Sequence, residues 1–221
     1  MTARKKKLSG EAGRKQAVLD AALRRAPLEG FTERMLSEAG RDADIAAEML
    51  AHLFPEGPAS LVAFFSEETD AEMEKRLAKK KLSGLKVRER IAAAVLARID
   101  ALRPHKEAAR RAAAFLMLPM NAALGARLVY QTVDAMWRAA GDTSTDFNFY
   151  TKRGILAGVY SATLMRWFTD ASADESQTRE FLAARIENVM QFEKFKAEWK
   201  ERAKDMPSFA DILSRVNARH S

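Results

Sequence analysis

Cysteine is absent from the 221 residues, which excludes a disulfide framework, a thiolate metal site and a cysteine nucleophile. The three histidines, His52, His105 and His220, have no partner at helical spacing, so the metal motifs HExxH and ExxH are missing. A glycine-rich phosphate loop and the GxSxG turn of hydrolases are missing too. We therefore expect no metal, no cofactor and no catalysis by this chain alone.

A long apolar run is also absent. The longest uncharged stretch, Ala112–Ala126, contains Pro119 and Asn121 and is shorter than the roughly 20 apolar residues that a membrane-spanning helix needs. The basic N-terminus is followed by no apolar run, which argues against a secretory signal. The lack of cysteine fits a reducing compartment.

The net charge of +7 is arranged in bands along the chain. Residues 1–25 hold eight bases and two acids, residues 28–70 hold two bases and ten acids, and residues 71–90 hold eight bases and three acids. A positive chain suits nucleic acid, but part of this excess lies on a terminal segment that we expect to be flexible.

The composition predicts an all-α fold, because strong helix formers dominate and no alternating run of β-branched residues occurs. Pro119 is expected to kink or split the long apolar stretch that contains it, since proline removes a backbone donor. The predicted helices cover residues 14–25, 33–39, 43–53, 57–80, 85–102, 106–138, 147–170, 175–203 and 207–217.

Short helices up to about residue 54 and long ones after it indicate a small N-terminal module on a larger helical body. The segments AVLDAALRRAPLEGF and AAEMLAHLFPEG, within residues 14–65, resemble the TetR regulators. That resemblance implies a helix-turn-helix-like module followed by a ligand-binding helical bundle. We assign residues 1–12 to a basic flexible tail, 13–56 to a degenerate helix-turn-helix-like module, 57–204 to the body and 205–221 to a short amphipathic helix.

The candidate recognition helix, residues 43–53, is poorly suited to DNA. It contains no lysine, arginine, asparagine or glutamine, and it carries Asp44 and Glu48. DNA readers need cations for phosphates and polar side chains for base edges. We expect the module to pack or dimerise and specific DNA binding to be lost.

Two stretches, Ala112–Trp137 and Gly154–Phe168, are apolar on nearly every side. The simplest interpretation is a pair of central core helices. A pocket for a small molecule is the second interpretation, because methionine adapts to irregular ligands and a kink at Pro119 opens space. The predicted pocket lining comprises Phe115, Leu116, Met117, Met120, Leu124, Leu128, Val133, Leu156, Tyr160 and Leu164.

Residues 134–160, DAMWRAAGDTSTDFNFYTKRGILAGVY, closely resemble the signature of the ubiquinone (coenzyme Q) biosynthesis accessory protein family. The resemblance implies a TetR-like frame in which lipid binding replaces DNA binding. It implies an isoprenoid, quinone or phospholipid ligand and a partner, the di-iron, membrane-associated demethoxyubiquinone hydroxylase. The implied partner patch is Met136, Trp137, Phe149, Tyr150 and Arg153; the family often has tryptophan where this chain has Phe149.

The same resemblance implies an amphipathic C-terminal helix that contacts a membrane surface. Residues 181–200 are one candidate, with a core or dimerisation helix as the alternative interpretation. Residues 207–217 are the other. The predicted membrane-contacting residues are Phe209, Ile212, Leu213 and Val216. A homodimer is expected, located in the bacterial cytoplasm at the inner membrane or, in a eukaryote, on the mitochondrial matrix side.

Three hypotheses follow for function. The leading one is a lipid-binding accessory protein that presents a quinone intermediate to the hydroxylase. The alternative is a TetR-type regulator that binds DNA in response to a ligand. The third is a dimeric scaffold with a filled core.

Overall fold

The computed structural model describes residues 10–142 and 147–204. This part of the chain forms nine α-helices and two short 3-10 turns and contains no strand, which confirms the predicted all-α class. The helices are α1 (Glu11–Glu29), α2 (Glu33–Asp42), α3 (Ala47–Leu53), α4 (Pro58–Ala78), α5 (Val87–Leu102), α6 (Lys106–Leu116), α7 (Ala122–Ala139), α8 (Phe147–Thr169) and α9 (Ser176–Lys204).

Helices α2 and α3 form the helix-turn-helix pair. Thr32 caps α2, because its side chain accepts a hydrogen bond from the backbone N–H of Met35 at 3.1 Å. The helices meet at Gly40, where a Cβ atom would lie 2.7 Å from Cδ2 of Leu50. The predicted helix over 43–53 begins later, at Ala47, because Asp44 adopts a left-handed conformation with φ 57° inside the turn.

The predicted break at Pro119 is complete. Helix α6 ends at Leu116, a 3-10 turn covers Pro119–Asn121, and α7 begins at Ala122. The segments Val87–Leu116 and Pro119–Ala139 meet at 92°. The side-chain amide of Asn121 donates to the carbonyl oxygen of Phe115 at 2.9 Å, which satisfies one of the acceptors at the end of α6.

The body is built around α4, α5, α7 and α8. Helix α4 packs against α5 and α7, α7 packs against α8, and α9 packs against α8 and α5. The small module joins this body through α1, which packs on α6, and the Phe31 and Phe115 rings lie 6.5 Å apart at that contact. Module and body therefore share one hydrophobic core.

Candidate functional site

A cavity of about 420 Å³ opens between five helices of the body. We name it the central cavity. Its lining is almost entirely apolar and comes from α4 to α8. The residues are Val62, Phe65, Ser66, Thr69, Arg98, Leu102, Ala109, Ala112, Ala113, Leu116, Met117, Ala122, Gly125, Ala126, Leu128, Val129, Thr132, Tyr160, Ser161, Leu164 and Met165. Its volume lies within the range typical of pockets for small molecules.

One side of the central cavity is polar and centres on Arg98, which is 4% exposed. Its Nε donates to the Tyr160 hydroxyl at 2.9 Å, and Nη2 donates to Oγ of Ser66 at 2.9 Å. Its Nη1 lies 2.6 Å from Oδ1 of Asp70, although the two atoms are not aligned as a hydrogen bond. The Thr132 hydroxyl donates to Oδ2 of Asp70 at 3.0 Å. We name these five residues the polar wall.

The polar wall carries no net charge when Asp70 is ionised, because its carboxylate compensates the Arg98 guanidinium. Burial raises the pKa of Asp70 above its ordinary value of 3.8, and Arg98 and Thr132 oppose that rise. The hydroxyl protons of Tyr160 and Ser66 have no acceptor within the described part of the chain. The wall thus presents hydrogen-bond donors to the cavity without an uncompensated charge.

Half of the predicted pocket residues line the central cavity, namely Leu116, Met117, Leu128, Tyr160 and Leu164. The other five do not, and their assignment is corrected. Val133 is buried at 0% exposure on the core side of α7, and Met120 is 79% exposed beyond the end of α6. Phe115 packs against Phe31, Leu124 packs against the core, and Leu156 faces a different cavity.

The sequence reasoning missed the contribution of α4 and α5, including Arg98. A signal for Arg98 was present, because it shares a helical face with Ile91, Val95 and Leu102, which are all buried. An arginine on an otherwise apolar face indicates a buried polar group that requires partners. The identity of those partners depends on other helices.

A second cavity, of about 540 Å³, lies between α5, α8 and α9. Its apolar lining includes Leu156, and Lys86, Arg88 and Lys152 also line it. From α9, Ile186, Val189 and Met190 contribute. The first part of the predicted amphipathic segment 181–200 therefore packs on the body.

The predicted partner patch is partly buried. Met136 is 0% exposed and belongs to the core, so its assignment to a surface is wrong. Arg153 is only 2% exposed, because its Nε donates to Asp134 at 2.7 Å and its guanidinium lies 3.3 Å from the Phe149 ring centroid. Tyr150 is the most exposed of the five, at 66%.

Trp137 is half-buried at the rim of the second cavity. Its indole N–H donates to the carbonyl oxygen of Lys152 at 3.2 Å, and the Lys152 ammonium lies 5.5 Å from the ring centroid. That ammonium also contacts Asp142 at 2.9 Å. The contacts of Trp137 and Arg153 therefore hold α7 against α8. Phe149 and Tyr150 lie nearer the surface, and Tyr150 is exposed.

Three sequence predictions concern membrane contact, metal binding and DNA recognition. The predicted membrane-contacting residues Phe209, Ile212, Leu213 and Val216 lie outside them. Within residues 10–142 and 147–204, no group of three histidine, aspartate or glutamate side chains is placed to hold a metal ion. Helix α3 spans only seven residues and carries Glu48 and His52 without lysine or arginine.

The comparisons with known proteins agree with the sequence signature. Residues 122–193 match the COQ9 family model. A bovine protein named "Ubiquinone biosynthesis protein COQ9, mitochondrial" is 34% identical over 184 residues, which covers 78% of this chain and 56% of the relative. The human protein of the same name is 32% identical over 180 residues, which covers 78% of this chain and 56% of the relative. The chain thus spans a little over half the length of these relatives.

The fold has a counterpart among solved structures. A TetR transcriptional regulator from Nitrosomonas europaea superimposes with a TM-score of 0.65 at 18% identity, covering 80% of this chain and 98% of the regulator. At that identity the likeness concerns the fold alone, and it confirms the predicted TetR-like architecture. The chain is therefore similar to the COQ9 ubiquinone biosynthesis proteins, matches the COQ9 family model over residues 122–193 and has a TetR-like helical fold.

Proposed function

We propose that this protein is a non-catalytic lipid-binding accessory factor of ubiquinone biosynthesis. It holds an isoprenoid quinone intermediate in the central cavity and presents that intermediate to the membrane-associated di-iron demethoxyubiquinone hydroxylase. The observation that carries the proposal is an apolar cavity with a charge-compensated polar wall, in a chain similar to COQ9 proteins. The names of the relatives support a mitochondrial location. Within it we propose the matrix side of the inner membrane, or the corresponding inner face in a bacterium.

The polar wall favours a neutral head group that accepts hydrogen bonds. The Tyr160 and Ser66 hydroxyls can donate to a ligand oxygen, and the Arg98 charge is compensated by Asp70. An anionic head would bring a second negative charge beside Asp70 without a further cation among the residues that line the cavity. A quinone carbonyl meets these requirements, since it accepts hydrogen bonds and carries no charge.

The cavity volume suits a ring and the first part of its tail. A volume of about 420 Å³ corresponds to a pocket for a drug-sized ligand, so a long polyprenyl chain must continue outside it. Small side chains at Ala109, Ala112, Ala113 and Ala126 leave room for an apolar substituent. The transfer of that apolar surface from water supplies most of the binding free energy.

A matched pair of soluble ligands tests this proposal. We expect a benzoquinone with a short alkyl tail to bind more tightly than an alkylbenzene with the same tail. Tyr160→Phe removes one donor, and a net hydrogen bond of about 1 kcal/mol corresponds to a roughly fivefold weaker quinone affinity. The alkylbenzene affinity should not change. Titration calorimetry measures both, with Tyr130→Phe, outside the central cavity, as the control.

Three results would contradict parts of this proposal. A wild-type protein that binds neither ligand contradicts lipid binding in the cavity. Equal affinities for quinone and alkylbenzene, unchanged in Tyr160→Phe, contradict the role of the polar wall while leaving apolar binding in place. Phosphate-headed amphiphiles that bind as tightly as the quinone would contradict the preference for a neutral head.

The partner contact is tested separately on Tyr150, the most exposed residue of the predicted patch. Tyr150→Ala should weaken capture of the purified hydroxylase at least several-fold, because aromatic side chains contribute strongly to protein interfaces. Leu28→Ala, an 89% exposed position on α1, is the control. Equal capture by both variants would remove Tyr150 from the interface. The homodimer stays a prediction; analytical ultracentrifugation would test it by measuring the mass of the protein in solution.

The TetR-like frame and the net charge of +7 are compatible with DNA binding, and the charge of α3 opposes it. Without cations on α3, contact with a row of phosphates is repulsive. We therefore infer that the protein is not a sequence-specific DNA reader. A gel shift with DNA flanking its gene should show no complex at low salt, and a specific complex there would instead support the regulator hypothesis.

A further inference from the structure

Three large apolar side chains are exposed together where α6 turns into α7. Met117 is 74% exposed, Leu118 is 45% exposed and Met120 is 79% exposed. We name these three residues the corner cluster. Single exposed apolar residues are common on soluble proteins, whereas a contiguous apolar group marks an interaction surface. Pro119 holds the group at the point of the 92° turn, so it projects from a corner of the body.

The chain around the corner cluster is free of acids. No aspartate or glutamate occurs over residues 108–133, and this stretch carries Arg110, Arg111 and Arg127. Arg110 and Arg111 pair with Glu107, one turn earlier, whereas Arg127 has no ion-pair partner within the described part of the chain. Exposed apolar side chains flanked by cations match the surface of an anionic bilayer, where the apolar groups enter the acyl boundary and the arginines meet head groups.

The central cavity reaches the same corner. Met117 belongs both to the corner cluster and to the lining of the cavity. Ala122 and Ala126, on the first turns of α7, also line the cavity and are exposed on their outer side. The accessible side of the cavity is therefore bordered by the residues best suited to contact lipid.

We propose that the corner cluster is a membrane-contacting surface and that the central cavity exchanges lipid with the bilayer through the adjoining mouth. The corner lies in the interface without crossing the bilayer. No single helix within the described residues is long and apolar enough to span a membrane; only the bent pair Val87–Leu116 with Pro119–Ala139 passes by length and composition. Lipid exchange rests on the proposed function, but membrane contact does not.

The corner is distinct from α9, the described candidate for membrane contact near the C-terminus. Ile186, Val189 and Met190 of α9 line the second cavity, which directs them towards the body. Phe192, at 61% exposed, is the large apolar side chain that α9 presents outward within residues 176–192. The two candidates can therefore be separated by substitution.

Vesicle flotation with matched variants tests the proposal. Leu118→Glu/Met120→Glu changes two exposed residues that do not line the central cavity. Leu85→Glu/Val87→Glu is the control, because it changes two exposed apolar residues far from the corner. These residues lie near the C-terminal end of α7, as the hydrogen bond from Arg90 Nη1 to the Ala140 carbonyl at 3.2 Å shows. Phe192→Glu tests α9. The vesicles contain phosphatidylcholine with or without phosphatidylglycerol.

We expect wild type to float with the phosphatidylglycerol vesicles. The corner variant should lose at least about tenfold in partitioning, because two large apolar side chains no longer enter the bilayer. The control variant should partition like wild type. Both variants should still bind the short-tailed quinone, which shows that the cavity is intact and separates this result from the proposed function. The proposal would be overturned if the corner variant floated as well as wild type, whether or not Phe192→Glu reduced vesicle binding. It would also be overturned if the control variant lost as much vesicle binding as the corner variant.

A second measurement remains decisive if the glutamate variants fold poorly. Because the sequence has no cysteine, Met120→Cys and Val87→Cys can each carry one environment-sensitive fluorophore. The probe at position 120 should shift to shorter wavelength on addition of phosphatidylglycerol vesicles, and the probe at position 87 should not. No shift at position 120, or equal shifts at both positions, would contradict insertion of the corner.

Discussion

Arg98→Met tests the energetic role of the polar wall most directly. Arg98 is 4% exposed, and its guanidinium lies 2.6 Å from the carboxylate of Asp70. Removal of one partner from a buried ion pair leaves the other charge uncompensated and costs about 3 to 5 kcal/mol. We expect a loss of about that size in the free energy of unfolding of Arg98→Met at pH 7.

The double variant Asp70→Leu/Arg98→Met should be far less damaging than the single one. Replacement of both partners of a buried pair by apolar side chains is often neutral, so we expect a stability within about 1 kcal/mol of wild type. With the second single variant, Asp70→Leu, these proteins complete a double-mutant cycle that isolates the interaction between the two residues. Urea denaturation followed by tryptophan fluorescence measures all four proteins.

The pH dependence gives an independent check. Burial raises the pKa of Asp70 above 3.8, and loss of the guanidinium removes an interaction that lowers this pKa. An acid with a raised folded-state pKa contributes stability that is complete below its unfolded value and is lost as pH rises through the folded value. The deficit of Arg98→Met relative to wild type should therefore shrink as pH falls from 7 towards 4. A deficit independent of pH, or equal deficits in the single and double variants, would refute this account of the pair.

Three further predictions concern the frame around the site. Gly57 has φ 57° and ψ −130°, a backbone conformation that residues with a Cβ atom rarely adopt. Gly57→Ala should therefore lower the free energy of unfolding, measured in urea, by about 1 to 3 kcal/mol. Trp137→Phe removes the hydrogen bond to the Lys152 carbonyl and should cost about 1 kcal/mol in the same assay. Hydrogen bonds hold the pKa of Asp170 well below its ordinary 3.8, so its contribution is present above that pH and lost as pH falls. Between pH 4 and pH 2, Asp170→Asn should accordingly lose less stability than wild type, as measured by circular dichroism. Identical unfolding of the two proteins over this pH range would contradict the role of Asp170.

Local sequence information was sufficient for much of the helical frame. The α8 and α9 boundaries lie within a residue of the predicted 147–170 and 175–203, because helix formers and turn residues act over a few positions. The break at Pro119 was predictable for the same reason, since the missing N–H is a property of one residue. The start of α3 was not, because the left-handed conformation of Asp44 depends on how α2 and α3 pack.

Of the ten pocket residues predicted from the two apolar stretches, five line the central cavity. An apolar pattern shows which side chains avoid water, but it does not distinguish a cavity wall from a filled core. Val133 and Leu128 both lie on α7, yet only Leu128 meets the central cavity. That distinction is made by the neighbouring helices, because a cavity exists where their side chains are too small to meet.

Sequence alone was enough to predict the helical class, the break at Pro119, the absence of cations on α3 and the resemblance of residues 134–160 to the ubiquinone biosynthesis accessory family. These properties depend on local residue types and spacing. The partners of Arg98 depend instead on the packing of distant helices, because Ser66 and Tyr160 lie 32 and 62 positions away. A buried guanidinium requires compensating partners, and partners from distant helices are specified by packing and are not visible in any local pattern.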